Sequence, residues 1–182
     1  MTLQTILSTY YGKRDTQYPR KKLTQYPKTA VILGLYNDFI PEYLLTTMNN
    51  NPNFDYWILS DSDSEHKKRE EEICQKHGIQ YVHRGTRRGK KAGAINDWAE
   101  TYLSHYKYYV TLDKDSLLSA GNLKELIEIA EHPSNSDYAV FQMMIRSLPG
   151  DSYFSSLRSQ VANIYTSQIP RNDALALGTA NY

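Results

Sequence analysis

Tyr108-Tyr109-Val110-Thr111-Leu112-Asp113-Lys114-Asp115-Ser116-Leu117-Leu118 decides how this chain reads, because an apolar, β-rich run ends abruptly in two carboxylates spaced by one residue. Side chains of an extended segment alternate between faces, so Asp113 and Asp115 are expected to point one way and Lys114 the other. Two hard oxygen donors then converge at the carboxyl end of a buried strand. Such a pair suits Mg²⁺ or Mn²⁺, which bind through one or two protein carboxylates and leave other positions to water and phosphate oxygens. The implied ligand is a nucleotide diphosphate carrying a transferable group. An Asp-x-Asp after a strand is also ordinary turn and cap chemistry, so the pair needs support from the rest of the chain.

On both sides of this stretch, strand patterns alternate with helix patterns. Thr29-Ala30-Val31-Ile32-Leu33-Gly34-Leu35 is a continuous apolar strand of the kind buried on both faces, with Tyr36-Asn37-Asp38 at its carboxyl end. Pro41 opens a helix that runs to the breaker Asn49-Asn50-Asn51-Pro52. Phe54 to Leu59 is a second strand, Ser60-Asp61-Ser62-Asp63-Ser64 a polar turn, and Glu65 to His77 a charged helix closed by Gly78. Lys67, Lys68, Arg69, Glu70, Glu71 and Glu72 read as its solvated face, with Ile73 and Cys74 turned inward. Ile79 to Val82 is a third strand, and the basic stretch Arg84 to Lys91 leads into a helix from Ala92 to Ser104. Beyond the fourth strand, a helix is expected from Leu123 to Glu131 and a fifth strand from Tyr138 to Met144. Helical spacing from Tyr153 to Gln168 puts Phe154, Leu157, Val161, Ile164 and Tyr165 on one side. The fold class is α/β, a mostly parallel sheet with helices on both faces, which binds ligands outside the carboxyl ends of its strands. Residues 1–28 read as a basic lead-in segment and 29–182 as one domain, incomplete at its carboxyl end.

The 182 residues carry 21 basic and 20 acidic side chains, a net of +1, so nothing global suggests a nucleic-acid partner. Cys74, the single cysteine, excludes an internal disulfide and any cysteine metal cluster, and its setting suggests a small packed residue. No apolar run approaches the ~20 residues that cross a bilayer, and no signal peptide is recognisable at the amino terminus. Tyrosine is frequent, 16 against four Phe and two Trp, and composition alone assigns it no function.

Three polar clusters, at Tyr36–Asp38, Asp61–Asp63 and Asp113–Asp115, fall at strand ends that share one edge in this architecture. Arg84, Arg87, Arg88, Lys90 and Lys91 lie just before a helix amino terminus, where the dipole and free N–H groups also favour an anion. Carboxylates for a cation and a basic loop for phosphate make complementary halves of one site.

Leu35-Tyr36-Asn37-Asp38, Leu59-Ser60-Asp61-Ser62-Asp63-Ser64, Gly89-Lys90-Lys91-Ala92-Gly93-Ala94-Ile95-Asn96 and Leu112-Asp113-Lys114-Asp115-Ser116, in that order, resemble the motifs of family 2 glycosyltransferases with the GT-A fold. The second motif is most similar to the glucan-biosynthesis glucosyltransferase branch, with cellulose synthases more distant. The resemblance covers residues 29–182 and implies roles residue by residue. Tyr36 and Asp38 would border the base and ribose, Asp61 would accept a hydrogen bond from the base, and Lys91 would reach the nucleotide from the far side. Asn37, Asp63 and Asn96 belong to the same nucleotide-sugar-binding motifs. Asp113 would touch ribose or metal, and Asp115 would ligate Mg²⁺ or Mn²⁺ bridging the diphosphate.

The implied reaction is transfer of a hexose, glucose from UDP-glucose, to a glycan acceptor with inversion. Family members deprotonate the acceptor hydroxyl with a carboxylate beyond the metal pair. Neither that base nor an acceptor-side Gln-x-x-Arg-Trp motif is recognisable before the last residue, Tyr182, so the base is expected beyond Tyr182 and no catalytic residue is assigned. The expectation is a donor-binding portion. Membrane contact would come only through segments absent from this chain, and the expected location is the cytoplasm or the cytoplasmic face of an inner membrane. Two alternatives remain. One is a phosphatase of the haloacid dehalogenase type using Asp113, Asp115 and Ser116, disfavoured because that motif belongs to a first strand. The other is a nucleotide-binding module without catalysis.

Overall fold

Seven residues, Thr29–Leu35, form strand β1, and all but Gly34 are buried, as a strand covered on both faces must be. The computed structural model, which describes residues 18–143, 146–148 and 151–163, adds β2 (Asp55–Ser60), β3 (Gln80–His83) and β4 (Tyr108–Leu112). All pair in parallel in the order β3-β2-β1-β4. Leu35 stands opposite Ser60, Ser60 opposite His83 and Leu33 opposite Leu112, so the carboxyl ends lie along one edge. The chain builds outward from β1 through β2 to β3, then returns to the other side of β1 for β4. Such a reversal opens a crevice between the two loops that leave the sheet there.

Three helices connect these strands, α1 (Pro41–Asn50), α2 (Ser64–His77) and α3 (Lys90–Tyr102), and a fourth, α4 (Asn122–Ala130), follows β4. Pro41 sits in the first turn of α1, where its missing N–H costs nothing. Asp63 caps α2 by accepting the His66 N–H at 3.1 Å, and Gly78 ends it at φ 68°, a left-handed conformation that glycine adopts without strain. Ala30, Ile32, Trp57 and Leu59 pack against Ala94 and Trp98 of α3. Their alternates Val31, Leu33 and Ile58 are equally buried on the opposite face. Each fully buried Ile contributes about 1.5–3 kcal/mol relative to exposure.

Asn51, just past α1, is 1% exposed and ties three elements together. Its side chain donates to the Thr47 and Ser119 carbonyls and accepts the Leu123 N–H, while its own carbonyl accepts the Tyr56 hydroxyl. Several half-buried tyrosines likewise set the hydroxyl on an acceptor: Tyr26 on Glu128, Tyr81 on Glu70, Tyr106 on Asp55 and Tyr108 on Glu131. Cys74 is buried, and burial pushes its thiol up to about 12, as befits a packed residue.

The chain divides into two compact units, residues 21–131, which carry the sheet, and residues 1–20 with 132–182. In the second unit Asn135 donates to the Pro19 carbonyl, and Asn163 holds both the N–H and the carbonyl of Ser147. Residues 153–163 are helical, but Phe154, Leu157 and Val161 are exposed, so the apolar side of this helix covers no core among the described residues. Ile164, Tyr165 and the rest of that expected helix lie outside the described residues, as do residues 1–17 of the lead-in. Tyr182, beyond which the family resemblance puts the general base, is likewise outside them, so the described residues stop short of that expectation.

The expected fifth strand is a correction: residues 138–143 enter no ladder, and Tyr138 and Val140 are 60% and 72% exposed. An apolar run becomes a strand only where a neighbour accepts its backbone hydrogen bonds, and none does here among the described residues. Met144 is outside them. No helix among the described residues is long and apolar enough to cross a membrane.

Candidate functional site

At the strand-order reversal the loops after β1 and β4 lie side by side, with the loop after β2 on the other flank of the β1 loop. Asn37, at φ 58°, donates its N–H to Ser62 Oγ at 2.8 Å. Its side-chain amide donates to Asp63 Oδ2 at 2.9 Å and accepts the Asp63 N–H at 2.9 Å. The β1 and β2 loops are therefore latched to each other. Asp63 also meets His66 Nδ1 at 2.8 Å. That contact raises the His66 pKa above its usual value and holds Asp63 below the usual carboxylate range.

Strand β4 ends at Leu112, and Asp113 to Ser116 form a turn closed by the Ser116 N–H on the Asp113 carbonyl at 2.9 Å. The expected alternation therefore stops one residue too early to aim Lys114 away. Lys114 instead pairs with Asp38 at 2.8 Å, from the β4 loop to the β1 loop. Burial pushes the Asp38 carboxyl up, but the Lys114 ammonium and the Tyr36 N–H outweigh it and leave the group below the carboxylate norm. Asp113 pairs with Lys91 at 2.5 Å, and the same ammonium donates to the Leu112 carbonyl at 3.0 Å. The Lys91 stem reaches this position over Gly34, where an added Cβ would come within 3.1 Å of Lys91 Cγ.

Asp115 is exposed and makes no hydrogen bond or ion pair among the described residues. Among those residues no three His, Cys, Asp or Glu side chains gather as a protein-only metal cage would need. The donor set is two carboxylates in one turn, which fits a hard cation that takes its other oxygens from phosphate and water.

The basic loop is less free than its sequence suggests. All five guanidinium donors of Arg84 are committed: Nε and Nη2 to the two oxygens of Asp61 at 2.7 and 2.6 Å, Nη1 to Asp97 at 2.9 Å, and Nη1 and Nη2 to the carbonyls of Arg88 and Lys90 at 3.1 Å each. The Arg84 and Asp61 side chains are 9% and 6% exposed. Fork-to-carboxylate pairing of this kind fixes geometry as well as charge. Arg88 adds a contact to Asp97 at 3.3 Å. Arg87 stacks over the exposed ring of Tyr36, 3.6 Å from its centroid, a cation–π contact.

Gly93 lets the loop fold back, since a Cβ there would lie 2.0 Å from the Arg88 carbonyl oxygen. Asn96, exposed on α3 beyond the first turn, takes part in none of these contacts.

Tyr36, Asn37, Asp38, Asp61, Asp63, Lys91 and Asp113 thus share one edge of the sheet and take part in the contacts above, and Asp115 lies at the same edge, in the turn after β4, without such a contact. A concavity of about 340 Å³ lined by Lys28, Lys107 and Glu131 lies instead at the amino-terminal edge, where β1 and β4 begin. It has no part in this chemistry.

Sequence reading missed Arg84, Arg87 and Asp97 as structural partners, although Arg84 directly follows β3 and so had to emerge at this edge. It also placed Glu70 on a solvated face. Glu70 is 2% exposed, and its carboxylate accepts the hydroxyls of Ser60 at 2.6 Å, Ser62 at 2.7 Å and Tyr81 at 2.9 Å. One helical turn before buried Cys74, it occupies the inward row, and three donors make burial of the charge tolerable. The (i, i+4) spacing to Cys74 was the available signal.

The acidic turn follows the fourth strand, at an edge of the described sheet, rather than the first strand that the phosphatase alternative requires. The sequence model described as "Glycosyl transferase family 2" matches residues 30–179. The chain is similar to proteins named "Glucans biosynthesis glucosyltransferase H". That of Xylella fastidiosa is 30% identical over 170 residues, 83% of this chain and 26% of that protein. That of Nitrosomonas europaea is 28% identical over 156 residues, 76% of this chain and 18% of that protein. That of Rhodopseudomonas palustris is 26% identical over 171 residues, 85% of this chain and 23% of that protein. The chain therefore spans about a quarter or less of the length of these curated relatives. With the parallel α/β sheet and the four motifs gathered at its carboxyl edge, the chain belongs to glycosyltransferase family 2.

Proposed function

We propose that this chain binds a nucleotide-diphosphate sugar, UDP-glucose, at the crevice between β1 and β4 and serves as the donor-binding portion of an inverting glucosyltransferase that extends a glycan. The observation that carries the reading is the pair of ties at the strand-order reversal, Lys114 to Asp38 and Lys91 to Asp113. They bring acidic and basic groups from separate elements to the one place where a parallel sheet of this order receives a ligand.

Tyr36, with Arg87 laid on its ring, offers a flat face to the base. Asp61 retains a lone pair on each oxygen beyond the bonds from Arg84 and accepts from a base N–H. Asn37 and Asp63 hold the base-side loops, and Asp38 faces the ribose. Lys91 donates to the diphosphate oxygens. Asp115 and Asp113 would hold Mg²⁺ or Mn²⁺, which supplies neutralisation of the charge that develops on the departing nucleoside diphosphate. Fixed cationic donors beside that charge lower the barrier without reorganising during the reaction. Glucose as the transferred sugar and a glucan as acceptor are proposed from the names of the relatives.

Calorimetric titration with UDP, with and without Mn²⁺, on the wild type and Asp115→Asn tests the reading. Binding should require the cation and weaken by about 1–3 kcal/mol in the variant, the cost of neutralising a charged hydrogen-bonding or ligating group. Cation-independent binding that ignores the substitution would refute it.

A further inference from the structure

Glu70 lies behind the site, touches none of the proposed ligand groups, and yet commands two of the loops that form it. A carboxylate can only accept hydrogen bonds, so the directions around it are set. Ser60 and Ser62 must both donate their hydroxyl protons to Glu70, at 2.6 and 2.7 Å, while Tyr81 donates a third at 2.9 Å. The serine oxygens are then left as acceptors for backbone N–H groups. Ser60 Oγ takes the N–H of Ser62 at 3.1 Å, curling the chain around Asp61. Ser62 Oγ takes the N–H of Asn37 at 2.8 Å, across from β2 to β1. His83 Nε2 meets the Ser62 carbonyl at 2.8 Å and closes the loop from the β3 side. Asn37 stands at φ 58°, a conformation uncommon outside glycine, and its amide sits at the end of this relay.

We infer that Glu70 is a positioning residue for the base half of the nucleotide site, holding Asp61 and the Tyr36–Asn37 loop in register through Ser60 and Ser62. This rests on the nucleotide reading above and extends it to a buried residue of α2. The diphosphate half, at Lys91 and Asp113, receives no hydrogen bond from the relay. Glu70→Gln keeps the shape but offers one acceptor oxygen in place of two. Three hydroxyl protons then compete for two lone pairs, and the amide turns its own donors on the serines.

The test compares wild type and Glu70→Gln by calorimetry with UDP and with inorganic pyrophosphate, both in Mn²⁺, alongside amide hydrogen exchange without ligand. UDP affinity should fall at least ~10-fold, while pyrophosphate affinity stays within ~2-fold. Exchange should speed up at Asn37 and Ser62 and stay unchanged in the middle of α2. If UDP and pyrophosphate affinities fall together, or neither falls, the positioning role is overturned. If Glu70→Gln does not retain wild-type circular dichroism, Ser62→Ala, which cuts the relay between Glu70 and Asn37 and leaves Ser60 and Tyr81 on the carboxylate, must give the same selective loss or the inference fails. A wild type that binds no UDP removes the nucleotide reading and the role resting on it. Unchanged protection of Asn37 in Glu70→Gln overturns the relay itself, whatever binds.

Discussion

Replacing Arg84 with Met removes five hydrogen bonds from one side chain, yet the cost concentrates in a single partner. Asp97 has a side chain 38% exposed and exchanges its partner for water, so that loss is about 0–1 kcal/mol. Arg88 and Lys90, whose carbonyls accept the other two bonds, are exposed residues at the end of the basic loop and the start of α3, and these are bonds to neutral acceptors, so their loss is the smaller part. Asp61 has no such relief: its side chain is 6% exposed and both oxygens face the guanidinium. Leaving a buried carboxylate without its partner costs about 3–5 kcal/mol, a large share of the ~5–15 kcal/mol that holds a domain folded. The double variant Asp61→Asn with Arg84→Met removes the stranded charge and should recover most of the loss.

Urea unfolding followed by tryptophan fluorescence reads this directly, because Trp57 and Trp98 both belong to the unit that carries the sheet. The midpoint should fall in the single variant, with the urea dependence unchanged, and rise again in the double. A single variant within ~1 kcal/mol of wild type would refute the reasoning, as would a double variant no more stable than the single, since either means Asp61 is not held as a buried charge.

Gly93→Ala gives a second check on the same loop. Ala in place of Gly inside an exposed helix ordinarily adds about 1 kcal/mol, but a Cβ 2.0 Å from the Arg88 carbonyl forces the backbone apart. Urea unfolding should therefore show a loss of about 1–3 kcal/mol, and a stabilised variant would mean the loop does not fold back onto α3. The Asp63–His66 contact predicts a pH window. The raised His66 pKa adds stability that is complete below its ordinary value of 6.5 and lost as pH rises through the folded value. The lowered Asp63 pKa adds stability present above its ordinary value of 3.8 and lost as pH falls through the folded value. The pair is accordingly strongest between those two ordinary values. NMR titration of the His66 ring should give a midpoint above 6.5 that moves down in Asp63→Asn, and an unmoved midpoint would count against the pairing.

The alternation of strands and helices from Thr29 to Ala130, the parallel sheet and the edge at which its polar clusters emerge were all written locally in the sequence. An unbroken apolar run, a Pro at a first turn or a Gly after a last one acts through its immediate neighbours, and the period of burial repeats within a few residues. Parallel pairing then carries residues 36–38, 61–63 and 113–115 to one edge, whatever their side chains do. Which group each side chain meets there was decided only by the tertiary structure. Lys114 turns to Asp38 because β4 stops at Leu112, Arg84 closes on Asp61 because β3 ends beside β2, and Glu70 goes inward because Ser60, Ser62 and Tyr81 supply three donors. The apolar stretch after Asp137 shows the same limit from the other side: side-chain composition proposed a strand, but a strand exists only where a second backbone lies alongside. Charge pairing and ladder formation both depend on partners tens of residues away, and no local pattern records where those partners come to rest.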